Sequence, residues 1–469
     1  MPSLRVLAPA GLLDLHALRA ELEVPGDFSP GALAEARAAA AAPRLPELDR
    51  TDLPMLTIDP PGSRDLDQAL HLERAGAGFT VWYAIADVAA FVTPGGLLDA
   101  ELTGRGVTLY APDARVPLHP PVLGEDAASL LPDVVRPALL WRLDLDGTGE
   151  LVGTEVRRAR VRSRQRLDYA GVQAALDAGT AGPVLELLRE VGTLRQARAR
   201  ERDAVDLPTP EQEVTLDAHG RPSIELRAQL PCEGWNAQLS LLTGIAAGAL
   251  MLRGGVGLLR TLPPPGPEAV ASLRRSALAL GVDWADGTPY GDVVSGLDPT
   301  VAAHAAVLTL ATRLLRGAGY TAFDGAPPAQ PRHSAVAAAY AHCTAPLRRL
   351  ADRHVGEVCL ALAGGTAVPE WARGALPGLP EVMSAATRRA GALERAVVDA
   401  AEAVVLHARV GDRFDAVVVD SGASGGTVQL TEPPVRARCD GADLPLGETI
   451  RVELVQADPM TRQVRLRRV

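Results

Sequence analysis

Three regimes of apolar spacing follow one another along the chain. Near the start, Leu12–Leu22 and Pro30–Ala42 repeat apolar residues every three or four positions, and each predicts a short helix. Pro25-Gly26 separates them, Ser29 is a candidate N-cap, and Pro30 occupies the first helical position. Two helices about a tight turn fit part of a helix-turn-helix and equally a small helical pad. Pro43–Pro54 is a proline-punctuated connector. From Met55 to Arg166 strands and turns dominate, with Met55–Ile58, Phe79–Val88 and Ala138–Asp144 as apolar strands. Glu155–Arg164 alternates, so that Arg158, Arg160, Arg162 and Arg164 share one face of a strand. That face is either solvated or a track for phosphates.

The middle of the chain is helical in its spacing, over Pro183–Ala204, Trp235–Leu252, Pro267–Leu280 and Pro299–Gly317. Pro380–Arg409 is the clearest helix, because Val382, Ala386, Ala390, Leu393, Val397, Ala400 and Val404 form one apolar stripe. After Gly411 the period becomes two. Arg413–Asp420, Gly426–Leu430, Val435–Arg438, Thr449–Gln456 and Gln463–Arg467 predict five strands of a small antiparallel barrel, with the OB-fold leading and an SH3-like barrel second. The expected architecture is α+β and multidomain: a short helical unit over 1–50, a mixed sheet with surrounding helices over 51–405, and the barrel over 408–469.

Composition narrows the function classes. The 469 residues are 47% hydrophobic and 22% charged, as in globular proteins, with a net charge of −10. Bulk positive charge therefore does not hold a polyanion, although local basic grooves can. Every basic side chain other than histidine is arginine, a planar group suited to phosphate oxygens. Cys232, Cys343, Cys359 and Cys439 lie far apart, which argues against a zinc ribbon or a disulfide scaffold. The N-terminal stretch lacks the pattern of a secretory signal, and the apolar run Leu239–Leu252 is short for a bilayer. A soluble cytoplasmic protein without a membrane partner is expected.

The most informative stretch is Thr57–Leu70, reading TIDPPGSRDLDQAL. Asp59 ends an apolar strand, Pro60, Pro61 and Gly62 force a turn, and Asp65 and Asp67 follow at i and i+2 on the same side of an extended loop. Three converging carboxylates repel one another unless a cation sits among them. Magnesium, bound through oxygens and shared with phosphate, suits such a set. An exposed acidic turn or a calcium-stabilised loop is the plainer alternative, though the EF-hand spacing is not met.

This stretch closely resembles the signature of the RNB exoribonuclease family, that of ribonuclease II and RNase R, whose pattern runs T-I-D-P and then D-x-D-D-A-L. Asp59, Asp65 and Asp67 fall on its first three carboxylates, and Gln68 stands where the fourth is expected. Ile85–Val92, Leu109–Asp113 and Val161–Tyr169 are similar to further family segments, and Tyr340–Asp352 resembles Y-x-H-x-T-S-P-I-R-R-Y-x-D. The C-terminal barrel is similar to the family's RNA-binding OB module.

The resemblance implies a metal-dependent hydrolase that threads RNA from its 3′ end and releases 5′-mononucleotides processively, acting as a monomer. Asp59, Asp65, Asp67 and Gln68 would hold one or two magnesium ions, with Asp59, Asp65, Asp67 and Arg348 as the catalytic set. Arg348 would face the scissile phosphate. Tyr110 would stack on a base, with Arg349, His342, Thr344 and the arginines at 158, 160, 162 and 164 along the RNA. Arg436, Arg438, Arg462, Arg465, Arg467 and Arg468 give the barrel charge, whereas Phe414 is its single aromatic residue. Gln68 supplies no charge, which also admits an RNA-binding protein that keeps the fold with weakened catalysis. The helical start leaves no room for the cold-shock barrels usual in relatives, so RNA duplexes are expected to approach the channel closely.

Overall fold

The computed structural model describes residues 13–208 and 211–469. Leu12, the first residue of the expected first helix, and residues 1–12 of the stretch read for a leader lie outside the described residues. α1 (Leu15–Glu21) is capped by Asp14, whose carboxylate accepts the Ala17 N–H at 2.8 Å. α2 (Pro30–Ala41) begins as its sequence predicts, with Ser29 Oγ accepting the Ala32 N–H at 3.2 Å. The two helices do not share a core. Leu15 and Leu18 pack with Leu109, Leu393 and Val397, whereas Ala32 and Ala36 join the main core. Among the described residues of this start, each helix finds its apolar cover on the larger body and not on the other helix.

Next come β1 (Met55–Ile58), β2 (Gln68–Ala75), β3 (Gly78–Ala86), α3 (Leu97–Arg105), the small hairpin β4 (Leu109–Tyr110) with β5 (Arg115–Val116), and the long β6 (Val135–Leu145) and β7 (Leu151–Leu167). The expected mixed sheet is closed: β1, β2, β3, β6 and β7 form a barrel. All neighbours pair antiparallel except β1 and β7, which are parallel. An odd ring requires one such pair. Val81, Tyr83, Ile85, Trp141 and Leu143 are completely buried, and burying side chains of this size contributes roughly 1.5–3 kcal/mol each.

The arginine face of β7 is a correction to the sequence reading. Arg158 Nε donates to Asp87 at 2.6 Å, and its Nη2 donates to Glu357. Arg160 pairs with Asp49 at 3.2 Å, and Arg164 donates to the Thr51 carbonyl at 2.8 Å. Arg162 lies between them on the same strand. The connector around Asp49 runs along β7, in a parallel bridge to Arg160. Alternation assigned the face correctly but not the groups that lie across it, which engage Arg158, Arg160 and Arg164 within the protein.

The middle contains α4 (Tyr169–Asp177), α5 (Pro183–Glu201), an unforeseen hairpin of β8 (Glu211–Leu216) and β9 (Pro222–Arg227), and α6 (Pro231–Gly254). β10 (Val256–Thr261), α7 (Pro267–Ala279), α8 (Tyr290–Ser295), α9 (Ala302–Ala311), β11 (Gly319–Asp324), β12 (Arg332–His333) and β13 (Ala338–Ala339) follow. Then come α10 (Leu350–Ala363), α11 (Glu370–Ala375) and α12 (Leu379–Leu406). α6, at 24 residues, is long and apolar enough to cross a membrane by length and composition. In the fold, its Leu239, Leu242, Ala246, Ala247 and Met251 belong to the main core. Gly244 and Gly248, one turn apart, let the segment at Ala339–Ala341 lie against α6. A Cβ on Gly248 would come within 2.9 Å of the Ala339 backbone, and one on Gly244 would collide with the Tyr340 ring.

β14 (Arg413–Gly422), β15 (Gly425–Leu430), β16 (Arg436–Asp440), β17 (Thr449–Asp458) and β18 (Gln463–Arg468) close a second barrel in the order β14-β15-β16-β18-β17. This is the expected OB-type module. Phe414 lies in its core, packed with Val418, Val452 and Leu454, and offers no stacking surface. The four cysteines are free and buried.

The Asp87–Arg158–Glu357 cluster yields the first prediction. Asp87 and Glu357 side chains are 1% and 9% exposed, while Arg158 is 34% exposed. Arg158→Ala strands two buried carboxylates and is expected to cost about 3 kcal/mol, the low end for a broken buried pair, read from the midpoint of urea unfolding at unchanged slope.

Candidate active site

The turn from β1 to β2 carries the acids. Asp59 begins it, its N–H donating to the Leu167 carbonyl at the end of β7 at 3.1 Å. Gly62 supplies a positive φ of 83°, which a side chain would resist. Leu66 anchors the far side of the turn. It is completely buried, its N–H donates to Ser129 Oγ at 2.9 Å, and its carbonyl accepts the Leu130 N–H at 3.0 Å. Asp65 and Asp67 flank this anchor.

The opposing groups come from two distant segments. In the loop before α10, the Leu347 N–H donates to Asp67 Oδ1 at 2.7 Å, and Arg348 Nε lies 3.4 Å from Asp67 Oδ2. The loop is fixed from both sides. Asp352 accepts the Ala345 N–H at 2.7 Å and the Arg349 guanidinium at 2.8 and 3.0 Å. The Thr108 N–H donates to the Arg348 carbonyl at 3.0 Å. His119, buried and pushed down to about 4 by burial, bonds the Leu347 carbonyl at 3.1 Å. Arg348 keeps 46% of its side chain exposed while Asp67 keeps 7%.

The second segment is the β4–β5 hairpin. Arg115 Nη1 donates to Asp65 Oδ1 at 2.6 Å, and its Nη2 lies 2.8 Å from Glu125. Across the ladder from Arg115 stands Tyr110. Tyr110 is 54% exposed, while burial around its hydroxyl, with Asp65 nearby, pushes that group up to about 12. From Tyr110 a cleft of about 1010 Å³ runs between β8 and α12.

Charge ties these residues into one site. Burial pushes Asp67 up to about 7, Asp352 adds like charge, and Arg348, the Leu347 N–H and Arg349 act against the shift. Burial and then Asp65 push Asp59 up to about 6, against Arg348 and Arg166. The expected convergence is nevertheless incomplete. Among the described residues, no three acidic, histidine or cysteine side chains are grouped closely enough to hold a metal. Asp65 is drawn to Arg115 and Asp67 to the Leu347 N–H. The donor chemistry itself, carboxylate oxygens in a partly buried and self-repelling set, fits a hard divalent cation.

Several expected site residues have other roles. The Gln68 amide donates from Nε2 to the Thr344 carbonyl at 2.6 Å and accepts from Tyr83 Oη at 2.7 Å through Oε1. A carbonyl can only accept, so the amide nitrogen must face Thr344 and the oxygen Tyr83. Expected as a metal ligand, Gln68 bridges two segments of the chain in this structure. Arg349, expected along the RNA, is engaged by Asp352 and clamps its loop. Thr344 Oγ1 bonds Ser240 at 2.7 Å. His342 Nδ1 bonds Tyr320 Oη at 2.7 Å, in a cluster with Tyr340. Arg115, Tyr83, Tyr169 and Asn236 were not singled out from the sequence. Tyr169 Oη accepts from Asn236 at 3.0 Å and lies within the influence of Asp59.

A family profile described as the RNB domain matches residues 48–361, and one described as the RNase II-type exonuclease C-terminal S1 domain matches residues 412–469. The chain is 28% identical over 413 residues to Ribonuclease R of Vibrio cholerae, covering 82% of this chain and 50% of that protein. It is 31% identical over 336 residues to Exosome complex exonuclease RRP44 homolog A of Arabidopsis thaliana, covering 67% and 35%. The chain thus spans half or less of the length of these curated relatives. Mycoplasma genitalium RNase R in complex with ribose methylated single-stranded RNA superposes with a TM-score of 0.86 at 18% identity, covering 97% of this chain and 77% of that one. Yeast Ssd1, a pseudonuclease, superposes at 0.66 with 18% identity, covering 94% and 54%. Both likenesses are of fold.

The role of Gln68 is open to measurement. Gln68→Asp removes the donor from the Thr344 carbonyl and sets a carboxylate against it. Stability is expected to fall by about 1–3 kcal/mol, read by urea unfolding.

Proposed function

Because the chain belongs to the RNB family, we propose that it is a metal-dependent exoribonuclease that hydrolyses RNA from the 3′ end to 5′-mononucleotides. One observation carries this reading. Asp67 and Arg348, far apart in the chain, meet at 3.4 Å, beside Asp59, Asp65 and a half-exposed Tyr110 at the head of a large cleft.

In this mechanism the cleft admits a single strand, and the base near its 3′ end stacks on Tyr110, a sequence-tolerant contact of about 1–3 kcal/mol. Arg348, anchored through its backbone while its side chain stays accessible, takes phosphate oxygens in a forked pair and stabilises charge that develops on them. Asp59, Asp65 and Asp67 would hold magnesium, which supplies an activated water at neutral pH. Arg115 balances Asp65 and Glu125 at the edge of the site. The arginines of the barrel give the strand an electrostatic, salt-sensitive grip. Four free and buried cysteines suit the reducing cytoplasm.

A second reading, an RNA-binding protein that keeps the fold with weakened catalysis, is favoured by Gln68, which stands in place of a carboxylate and is committed to Tyr83 and Thr344. Retention of Asp59, Asp65, Asp67 and Arg348 together favours the enzyme. One gel separates the two. With 5′-labelled single-stranded RNA and magnesium, a ladder shortening from the 3′ end is expected. Asp67→Asn should abolish it while RNA binding survives. Internal cuts, or equal activity in EDTA, contradict the proposal, and binding without cleavage by the unaltered protein supports the second reading.

A further inference from the structure

α1 touches two modules at once. Arg19 and Glu21 are two residues apart on the helix, so they project roughly 200° apart about its axis. Arg19 reaches the β4–β5 turn, where Nη1 and Nη2 donate to the two carboxylate oxygens of Asp113 at 2.8 and 2.9 Å. Glu21 reaches the C-terminal barrel, where it accepts from both Nη atoms of Arg462 at 2.7 and 2.8 Å. Arg462 sits in the β17–β18 turn with a φ of 55°, a conformation that side chains avoid and that the surroundings must hold. A third face of the helix, Leu15 and Leu18, packs on Leu109 of the hairpin and on Leu393 and Val397 of α12.

The hairpin so held is small, and its other ties to the body are buried Leu109 at one end and Arg115, paired with Asp65 and Glu125, at the other. Its two strands pair only through Leu109 with Val116 and Tyr110 with Arg115. Its turn is closed by the Ala111 N–H donating to the Ala114 carbonyl at 3.0 Å. Yet it presents Tyr110 to the cleft and Arg115 to Asp65. Asp113 lies between these two residues, so a forked, planar clamp on Asp113 fixes the tilt of the whole turn.

We propose that α1 is a brace between the barrel and the active-site hairpin, and that Arg19 is a positioning residue which sets the place of Tyr110 for RNA. The functional half of this inference rests on the reading of Tyr110 given above. The structural half does not.

The experiment uses the full chain and two readouts. Hydrogen exchange of the hairpin amides is followed in the free protein, and affinity for a 5′-labelled single-stranded RNA is measured in EDTA to prevent turnover. In Arg19→Glu, exchange over 109–116 should rise about tenfold while β6 and β7 keep their protection, since a fold-wide loss would raise both. RNA affinity should fall about tenfold. The swap Arg19→Glu with Asp113→Arg should restore both readouts to within about threefold, and in a Tyr110→Ala background Arg19→Glu should weaken binding by less than about twofold. Unchanged exchange in the hairpin overturns the brace. Raised exchange with unchanged affinity, or full additivity with Tyr110→Ala, overturns the positioning role. An unaltered protein that binds no RNA, while exchange responds as described, overturns the reading of Tyr110 and leaves the brace standing.

Discussion

Five strands cannot close into a ring with every neighbour antiparallel, and much of this molecule follows from that parity. One pair must run the same way, and here it is β1 with β7. Their C-terminal ends therefore emerge at the same rim. Asp59 leaves β1 there, Tyr169 leaves β7 there, and the two strands are stitched at the exit by the Asp59 N–H and the Leu167 carbonyl. β2 runs antiparallel to β1, so it starts where β1 stops. The whole acidic turn is thus confined to one edge of the barrel. A barrel of even count could have closed as a plain meander, with no reason for the two exits to coincide.

Confinement of acids creates the second constraint. Carboxylates that are buried and close together lose more from desolvation than a single neighbouring cation restores, which is why Asp59 and Asp67 stay shifted upward despite Arg348. The fold answers with backbone as well as charge. The Leu347 N–H meets Asp67, and the loop that supplies it is fastened to Thr108, Gly106 and Asp352. Strand ends, loop and hairpin are held by one another at the rim.

The parts legible in the sequence are those with local signatures. β1 and the capped start of α2 fell where spacing and capping put them, α12 within a few residues of its apolar stripe, and the five strands of the C-terminal barrel close to their expected bounds. The acid motif was legible because its spacing is short. What was not legible depends on partners far along the chain. Nothing near Gln68 announces that its amide will be spent on Tyr83 and on the distant Thr344 carbonyl. Arg115 is a lone cation in a strand of two residues, too short to show a period. The arginines of β7 were assigned to the correct face, but alternation does not say which segment will lie across it. The β8–β9 hairpin is a different kind of miss. Val214 and Leu216 alternate with polar residues, as do Ile224 and Leu226, about an Asp-Ala-His-Gly turn, a short period of two set between helical neighbours.

The ionic clamps of this fold share one chemistry. Arg19 with Asp113, Arg462 with Glu21, Arg115 with Asp65 and Arg349 with Asp352 all oppose a carboxylate to a guanidinium, never to an amine. A guanidinium gives up its proton only above about pH 12, so rising alkalinity leaves every one of these fasteners intact. The braces, the loop anchor and the catalytic rim therefore share one resistance to alkali.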